Sequence, residues 1–480
     1  MKLVNSLEKI LKNLDYKLLN AKVDNIVINK VVYDSREVEK DDLFICLNGS
    51  RFDSHTKISD VMNSGAKVLV VEKGNKNLSG IDFKDVVVIE VENTRLALSI
   101  ISKNYFGCPS DKLVVIGVTG TKGKTTTSFM IKNIIEQAGY KVGLIGTIGI
   151  FIGDEHIYTD NTTPESFVLH KYFAKMLDNG ITHVVMEVSS QSLKYYRVYG
   201  INFDYAVWTN IEPEHIGENE HTDFDDYLNS KLKIFSMAKH AVVNSFTKNY
   251  DDIVLACKKY KIPLYEKKEN RKWKLQMPGS YNQENASLAY EVGKAMGIDD
   301  DTIKKALEKV VVPGRCELVY KDDDMKIIVD FSYENNGAEK FLNTIKESKP
   351  KRIVTIYGCG GNRSKDRRYG MGEVTGKLAD FVILTADNSR YEKTIDIIAD
   401  IETTLTKYKK KDDLINGYII REDRREAIEY AIKNHKPGDV ICVMGKGHEP
   451  MMEMNGEKIR FLDREVVLEI IDKIKENIKF

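Results

Sequence analysis

The 480-residue chain has no apolar run approaching the ~20 residues that a membrane span requires. Its 72 basic and 72 acidic residues cancel, so it lacks the positive excess by which nucleic acid is held. Lysine clusters such as Lys409 to Lys411 read as solvated surface. Residues Met1 to Asn13 are charged and amphipathic, without the apolar centre of a signal peptide. The six cysteines (Cys46, Cys108, Cys257, Cys316, Cys359 and Cys442) show no C-x-x-C spacing, which argues against a zinc site and against a disulfide framework. Internal repeats and low-complexity linkers are also missing. These absences lead us to expect a soluble, cytoplasmic protein with reduced thiols and with no nucleic-acid or membrane partner. The length leaves room for about two to four domains, each with its own core.

What is present is concentrated first in V-V-I-G-V-T-G-T-K-G-K-T-T-T, from Val114 to Thr127. A β-branched run ends in a glycine-rich turn, and a helical pattern follows over 128–139, with Met130, Ile131, Ile134 and Ile135 on one face. Strand, glycine loop and helix start in that order make a phosphate cradle, because backbone N–H groups converge where the helix end is positive. Gly120, Thr121, Lys122, Gly123, Lys124, Thr125 and Thr126 are therefore the expected nucleotide-binding residues. Lys124 can reach the outer phosphates, and the Thr125 hydroxyl can ligate Mg²⁺. The pattern G-x-x-x-x-G-K-[ST] is met only in part, since Val118 stands where its first glycine would be. A tight strand-to-helix connection is the plain alternative, but Gly-Lys-Thr at the helix start favours ATP or GTP.

Three blocks follow from the patterning. In the first, to about Cys108, short strand patterns (25–33, 43–47, 67–71, 86–91) alternate with helical ones, and a helix is expected over 94–105. The second opens with the phosphate loop and holds further apolar strands at 183–190 and 205–210, with a late helical segment over 287–296. The turn Val312-Pro313-Gly314-Arg315 opens the third. There, apolar runs at 353–357, 381–385 and 440–444 precede G-C-G-G-N-R, A-D-N-S-R and G-K-G-H-E. Continuous apolar strands separated by helices imply parallel sheets buried on both faces. Ligands then sit beyond the carboxyl ends of the strands, where these polar clusters fall. Two such domains facing each other would enclose one site.

Within the second block, Glu187 follows three apolar residues near a strand end. A carboxylate there can hold the Mg²⁺ that bridges nucleotide phosphates, although an ordinary strand-end carboxylate looks the same. Ser189, Ser190 and Arg197 follow it closely, as they would in a surface hairpin. By itself Lys231 reads as a helix-surface lysine and His215 as a loop histidine.

The ordered set G-T-K-G-K-T-T (120–126), N-T-T-P (161–164), E-V-S-S (187–190), His215, Lys231, G-S-Y-N-Q-E-N (279–285), Pro313 to Arg315, G-C-G-G-N-R, D-N-S-R and G-K-G-H-E resembles that of the Mur ligases. The likeness is strongest to the UDP-N-acetylmuramoyl-L-alanyl-D-glutamate–amino acid ligases of peptidoglycan precursor synthesis. It runs from Tyr33-Asp34-Ser35-Arg36 to Asp463-Arg464-Glu465. The resemblance implies an α/β chain of three domains: a small UDP-binding domain (1–108), a central P-loop-type ATPase domain with a mostly parallel sheet (109–312), and a Rossmann-like amino-acid-binding domain (313–480) that closes over the site. It implies that ATP phosphorylates the substrate's terminal carboxylate and that an amine then displaces phosphate, with two Mg²⁺ ions and Lys124 stabilising charge. One ion would take Thr125 and Glu187. The other would take His215 and Lys231, the latter carbamylated to N6-carboxylysine. Asn285 and Arg315 match nucleotide positions; Ser35, Thr162, Thr163, Ser189 and Arg197 match UDP-substrate positions. A monomer is the family's habit.

Family members that add meso-diaminopimelate carry D-N-P-R, whose arginine pairs with the distal carboxylate. Here the motif is Asp387-Asn388-Ser389-Arg390, which keeps the asparagine and the arginine. Arg368 matches a second substrate-binding arginine, and Gly445 and Glu449 match positions that receive the amino acid's distal end. A guanidinium fork suits a carboxylate and Glu449 suits an ammonium, so diaminopimelate is the expected amino acid and lysine the alternative. Two departures stand out. Tyr333 replaces a histidine expected after Asp330, and Gln191 stands where many relatives have histidine. Both point toward a paralogue acting on another acceptor or amino acid as the alternative, and Tyr333 toward a catalytically silent binder; a P-loop ATPase switch is a further reading, while D-S-R and D-N-S-R speak against a folate-polyglutamylating or cyanophycin-type ligase.

Overall fold

The computed structural model describes residues 3–20, 25–49, 52–83, 85–217 and 220–478. Three parallel-rich α/β sheets organise the chain, which groups into two compact units, Met1–Asn270 with Asn285–Ala306, and Arg271–Glu284 with Leu307–Phe480.

The first unit holds two sheets. The smaller one comprises β1 (Lys17–Leu18), β2 (Val31–Val32), β3 (Leu43–Ile45), β4 (Val68–Glu72) and β5 (Val87–Val91), in the order β1-β5-β4-β3-β2. Only β1 runs antiparallel to its neighbour. The strand expected over 25–33 shrinks to β2. Its earlier part turns instead to the N-terminal segment, where the amide of Leu7 bonds to the Ile26 carbonyl and that of Ile28 to Asn5. The helix Thr94–Tyr105 starts at Asn93, whose side chain accepts from the Leu96 amide. It buries Ala97, Leu98, Ile101 and Tyr105 at helical spacing against this sheet's core.

The larger sheet contains β6 (Val114–Thr119), β7 (Val142–Gly146), β8 (Gly149–Ile152), β9 (Glu155–Ile157), β10 (His183–Glu187), β11 (Phe203–Trp208), β12 (Ala238–Asn244) and β13 (Leu264–Lys267), in the order β13-β12-β11-β6-β10-β7-β8-β9. From β13 to β7 all pairings are parallel. Register sets the site: Glu187 pairs with Val118, and Trp208 with Thr119. The carboxyl ends of three adjacent strands therefore lie side by side, and the loops that leave them converge. Both faces are apolar, with Trp208 stacked on Phe235 at 5.8 Å between ring centroids. The phosphate-loop helix spans Lys124–Gln137, four residues earlier than its apolar pattern alone marks, because the glycine turn feeds directly into it. The late helix is likewise longer than its pattern, Ser280–Ala295.

The second unit is built on β14 (Glu317–Lys321), β15 (Met325–Asp330), β16 (Arg352–Tyr357), β17 (Phe381–Leu384), β18 (Tyr418–Ile420) and β19 (Asp439–Met444), in the order β14-β15-β19-β16-β17-β18, with a hairpin of β20 (Met451–Met454) and β21 (Glu457–Arg460). Only β14 pairs antiparallel within the large sheet. The clusters F-S-Y-E-N, G-C-G-G-N-R, A-D-N-S-R and G-K-G-H-E all leave carboxyl ends of parallel strands. Arg424, fully buried, forks onto Asp463 at 2.7 and 2.8 Å and donates to the carbonyls of Ala386 and Met444. That buried pair ties the start of two of those loops to the helix Asp463–Ile478. Each of its three nitrogens donates at least one hydrogen bond, which offsets part of the cost of burying charge.

Candidate active site

The phosphate loop is shaped by two glycines in the left-handed region. Gly120 has φ +142°, and a methyl group there would lie 1.9 Å from the Thr209 hydroxyl; Gly123 has φ +84°, with the Asn285 side-chain oxygen 2.5 Å from the same point. Asn285, expected from its motif to meet the nucleotide, is thus placed against the loop, and Thr127 reaches its oxygen at 3.4 Å. The Lys122 amide donates to the Asn210 side chain at 2.9 Å, and Thr209 donates to the Lys122 carbonyl at 2.7 Å. Lys124 folds over the turn and donates to the carbonyls of Gly120 and Thr121, both at 2.9 Å.

Glu187 is buried, and its carboxylate accepts from the Thr125 hydroxyl at 3.0 Å, the Thr147 amide at 2.9 Å and the Thr147 hydroxyl at 3.0 Å. Gly146 leaves room for it, since a methyl there would sit 2.2 Å from its oxygen. Thr147 and Thr162 share a hydrogen bond at 3.0 Å. Thr163 donates to the Glu187 carbonyl at 2.9 Å and receives from the Ser189 amide at 3.0 Å. Arg197 donates to the Thr163 carbonyl at 3.1 Å and pairs with Glu165 at 2.9 Å. Four expected UDP-substrate residues, Thr162, Thr163, Ser189 and Arg197, therefore form one hydrogen-bonded chain ending at Glu187. Ser35 stands in the turn Ser35–Glu37 beside the first sheet, and among the described residues no side-chain contact joins it to that chain.

Lys231 lies on the helix Phe224–Leu232, fully buried rather than on its surface. Its amine donates to the Gly120 carbonyl at 2.7 Å and rests 4.8 Å from the Tyr227 ring. Burial, then the Lys124 charge, push its pKa far below the ordinary lysine range. His215 is on a half-exposed loop with φ +59°, its ring 6.3 Å from that of Tyr227 and 3.3 Å from Glu220. Tyr227 is the shared neighbour, and its hydroxyl meets Thr121 Oγ1 at 2.9 Å. Among the described residues no three His, Cys, Asp or Glu side chains gather as a metal cage. A cation at Thr125 and Glu187 would need phosphate oxygens to complete its shell, as Mg²⁺ at a nucleotide does. The Thr125–Glu187 pair fits that group.

In the second unit Arg315 stacks over Phe331 at 4.5 Å and meets His448 Nδ1 at 3.4 Å. Tyr333 packs edge-on to Phe331 at 4.9 Å and carries Arg367 over its ring at 5.4 Å. Asn388 bridges Asp387 and Glu449 with its amide at 3.0 and 2.9 Å. Burial, then the Asp387 charge, raise the Glu449 pKa. Gly445 passes so close that a methyl there would lie 2.6 Å from the Asp387 carboxylate. Arg390, at φ +54°, donates to the Gly361 carbonyl at 2.5 Å.

Arg368 is the second arginine expected at the amino acid. It is buried, and its fork is filled by Glu392 at 2.8 and 2.9 Å and by Asp400 at 2.8 Å. Glu392 in turn accepts from the Asn362 amide at 2.5 Å. Arg363, next in the chain, is exposed and makes no hydrogen bond or ion pair among the described residues. Desolvation, then the charges of Arg390 and Arg367, lower its pKa. Arg363 closes the G-C-G-G-N-R motif, so its position was readable in the sequence. Thr147, His221 and Tyr227 were not singled out there, because only the fold brings them to the motif residues.

A P-loop-like cradle on a parallel sheet, with an acidic strand end and a buried lysine beside it, is built for a nucleoside triphosphate. The comparisons agree. Residues 27–106 match the Mur ligase family catalytic domain, 118–276 the Mur ligase middle domain and 314–447 the Mur ligase glutamate ligase domain. The UDP-N-acetylmuramoyl-L-alanyl-D-glutamate–2,6-diaminopimelate ligase of Clostridium tetani is 40% identical over 98% of this chain and 99% of its own. The ligase of the same name from Clostridium botulinum is 39% identical over 98% and 100%. A solved structure of a ligase of that name superposes with a TM-score of 0.66 at 23% identity, covering 99% of this chain and all of that one. The chain belongs to the Mur ligase family.

Proposed function

We infer that the protein joins meso-diaminopimelate to UDP-N-acetylmuramoyl-L-alanyl-D-glutamate at the expense of ATP, as the names of its 40% and 39% identical relatives describe. It would thereby supply precursor for the cell wall, and so serve cell shape and division. The domain division at 108 and 312, a monomer, and cytoplasmic residence belong to the same reading. The observation that carries it is the Thr125–Glu187 pair beside Lys124 and a buried, deprotonation-prone Lys231. A γ-phosphoryl group held there is transferred to the D-glutamyl carboxylate, and ADP leaves. The amine of the incoming amino acid attacks the acyl carbon, a proton is lost, and phosphate departs.

Lys124 lies where charge builds on the transferring phosphoryl group, so its ammonium stabilises the transition state over the ground state. Thr162, Thr163, Ser189 and Arg197 orient the acceptor, and Asn285 and Arg315 contact the nucleotide. Two Mg²⁺ ions would belong to this reading, one held by Thr125 and Glu187 and one by His215 and Lys231, and they would neutralise charge on the phosphate oxygens. Lys231 suits the second role as a carbamate. Its lowered pKa leaves a neutral amine that can add to CO₂ with loss of a proton, converting a cation into an oxygen ligand. Density at the Lys231 amine in a crystal grown with bicarbonate tests this, and a bare amine there contradicts it.

For the amino acid, Arg363 and Arg390 form the carboxylate receptor, while Asp387 and Glu449, two carboxylates bridged by Asn388, await an ammonium at Gly445. Arg368 acts one step back, fixing Glu392 and, through the Asn362 amide, the loop that carries Arg363. Product formation from the muramoyl dipeptide with meso-diaminopimelate, L-lysine and L-ornithine tests the assignment. Preference for lysine contradicts it.

A further inference from the structure

We propose that His221, which none of the expected site residues includes, is a positioning residue that joins the acceptor loop after β10 to the His215 loop and the phosphate loop. The proposal deepens the ligase reading above and rests on it. A fully buried imidazole is costly unless both nitrogens are partnered. In His221 they are: Nε2 lies 2.9 Å from the Ser190 hydroxyl and Nδ1 3.2 Å from the Asp226 carboxylate. Asp226 is held at a pKa of about 2 by Lys194 and the Thr222 amide, despite partial desolvation, so it only accepts. Nδ1–H therefore donates to Asp226, and Nε2 accepts the Ser190 proton.

The backbone of His221 does a second task. Its amide donates to the His215 carbonyl at 3.0 Å and its carbonyl accepts from the Gly217 amide at 3.1 Å, closing the loop that carries His215. That closure holds His215 at a positive φ that a non-glycine residue keeps only when its surroundings impose it. The third link is the ring, which packs edge-on to Tyr227 at 5.2 Å. Tyr227 touches Thr121 with its hydroxyl and Lys231 with its face. One residue thus spans E-V-S-S and the lysine beside the phosphate cradle with its side chain, and the His215 loop with its backbone. On the ligase reading these three parts set the distance from acceptor carboxylate to γ-phosphate, and a misplacement of about 1 Å there costs about a hundredfold in rate.

His221→Phe keeps the ring against Tyr227 and removes both side-chain hydrogen bonds, while His221→Gln keeps an amide able to meet Ser190. For the full chain with ATP, muramoyl dipeptide and diaminopimelate, His221→Phe is expected to lower kcat about ten- to hundredfold. The KM for ATP and the Tm should stay close to the parent, and His221→Gln should recover most of the loss. Ser190→Ala combined with His221→Phe should be no worse than His221→Phe alone. An unchanged kcat in His221→Phe, or a loss that follows a falling Tm equally in both variants, overturns the proposal. Amide exchange in the same proteins judges it without the ligase reaction. Faster exchange in His221→Phe at both 188–190 and 215–217, with 124–137 unaltered, supports it, and uniform or absent change refutes it. A parent chain that forms no tripeptide would sink the ligase reading and leave that exchange result to stand by itself.

Discussion

At Gly120 the backbone turns through φ +142° against the Thr209 hydroxyl, and no side chain fits. Gly120→Ala is expected to cost about 1–3 kcal/mol in strain and to abolish nucleotide binding, read by calorimetry with ADP or a non-hydrolysable ATP analogue. Lys124→Ala removes the ammonium that folds over the cradle from its own helix, and a fall of about 10²–10³ in kcat is expected with the fold intact. At this scale the sequence was most legible where chemistry is local. Glycine, lysine and threonine at the helix start declare themselves by spacing. The burial of Lys231 was not legible, because a lysine on an amphipathic helix looks the same whether its face meets water or a phosphate loop. Arg368 is the converse case. Its motif suggested a ligand, yet Glu392 and Asp400, 24 and 32 residues further on, claim its fork.

Among elements, the loops after β16 and β17 lock together, since a methyl at Gly361 would lie 2.0 Å from the Ser389 carbonyl. The Ser389 amide also donates to the Asp387 carbonyl at 2.8 Å, a bond that the proline of D-N-P-R lacks. Arg363→Ala should raise the KM for diaminopimelate about ten- to a hundredfold while leaving the KM for ATP unchanged, measured by coupled phosphate release; equal effects on both substrates would remove Arg363 from the receptor. The helix Lys365–Leu378 is tethered through Arg368, which holds Glu392 at a pKa of about 2, below its ordinary 4.5. A depressed carboxylate contributes stability above its unfolded pKa and loses it as pH falls through the folded value. Protection of this helix against amide exchange should therefore be full at neutral pH and decline from about 4.5 toward about 2, and Arg368→Met should abolish the difference. The parallel strands were readable as continuous apolar runs. The brief β2, and helices that begin before their apolar stripe, were not, because tertiary hydrogen bonds set those limits.

Over the whole molecule, two units each gather their polar clusters at the carboxyl ends of parallel strands. Composition, block order and the ten motifs made the α/β architecture legible before any coordinates. Which strands would be neighbours was not legible, since the order β11-β6-β10-β7 depends on crossovers that no local pattern encodes. That order places Glu187 and Trp208 on either side of the phosphate strand. Phosphate release by the purified chain, followed with ATP and Mg²⁺ in the presence of UDP-N-acetylmuramoyl-L-alanyl-D-glutamate, meso-diaminopimelate, both or neither, tests the account most directly. Release that requires both, with a tripeptide product, is the expected result. Release indifferent to acceptor and amino acid, or product formation that survives Lys124→Ala, would contradict it.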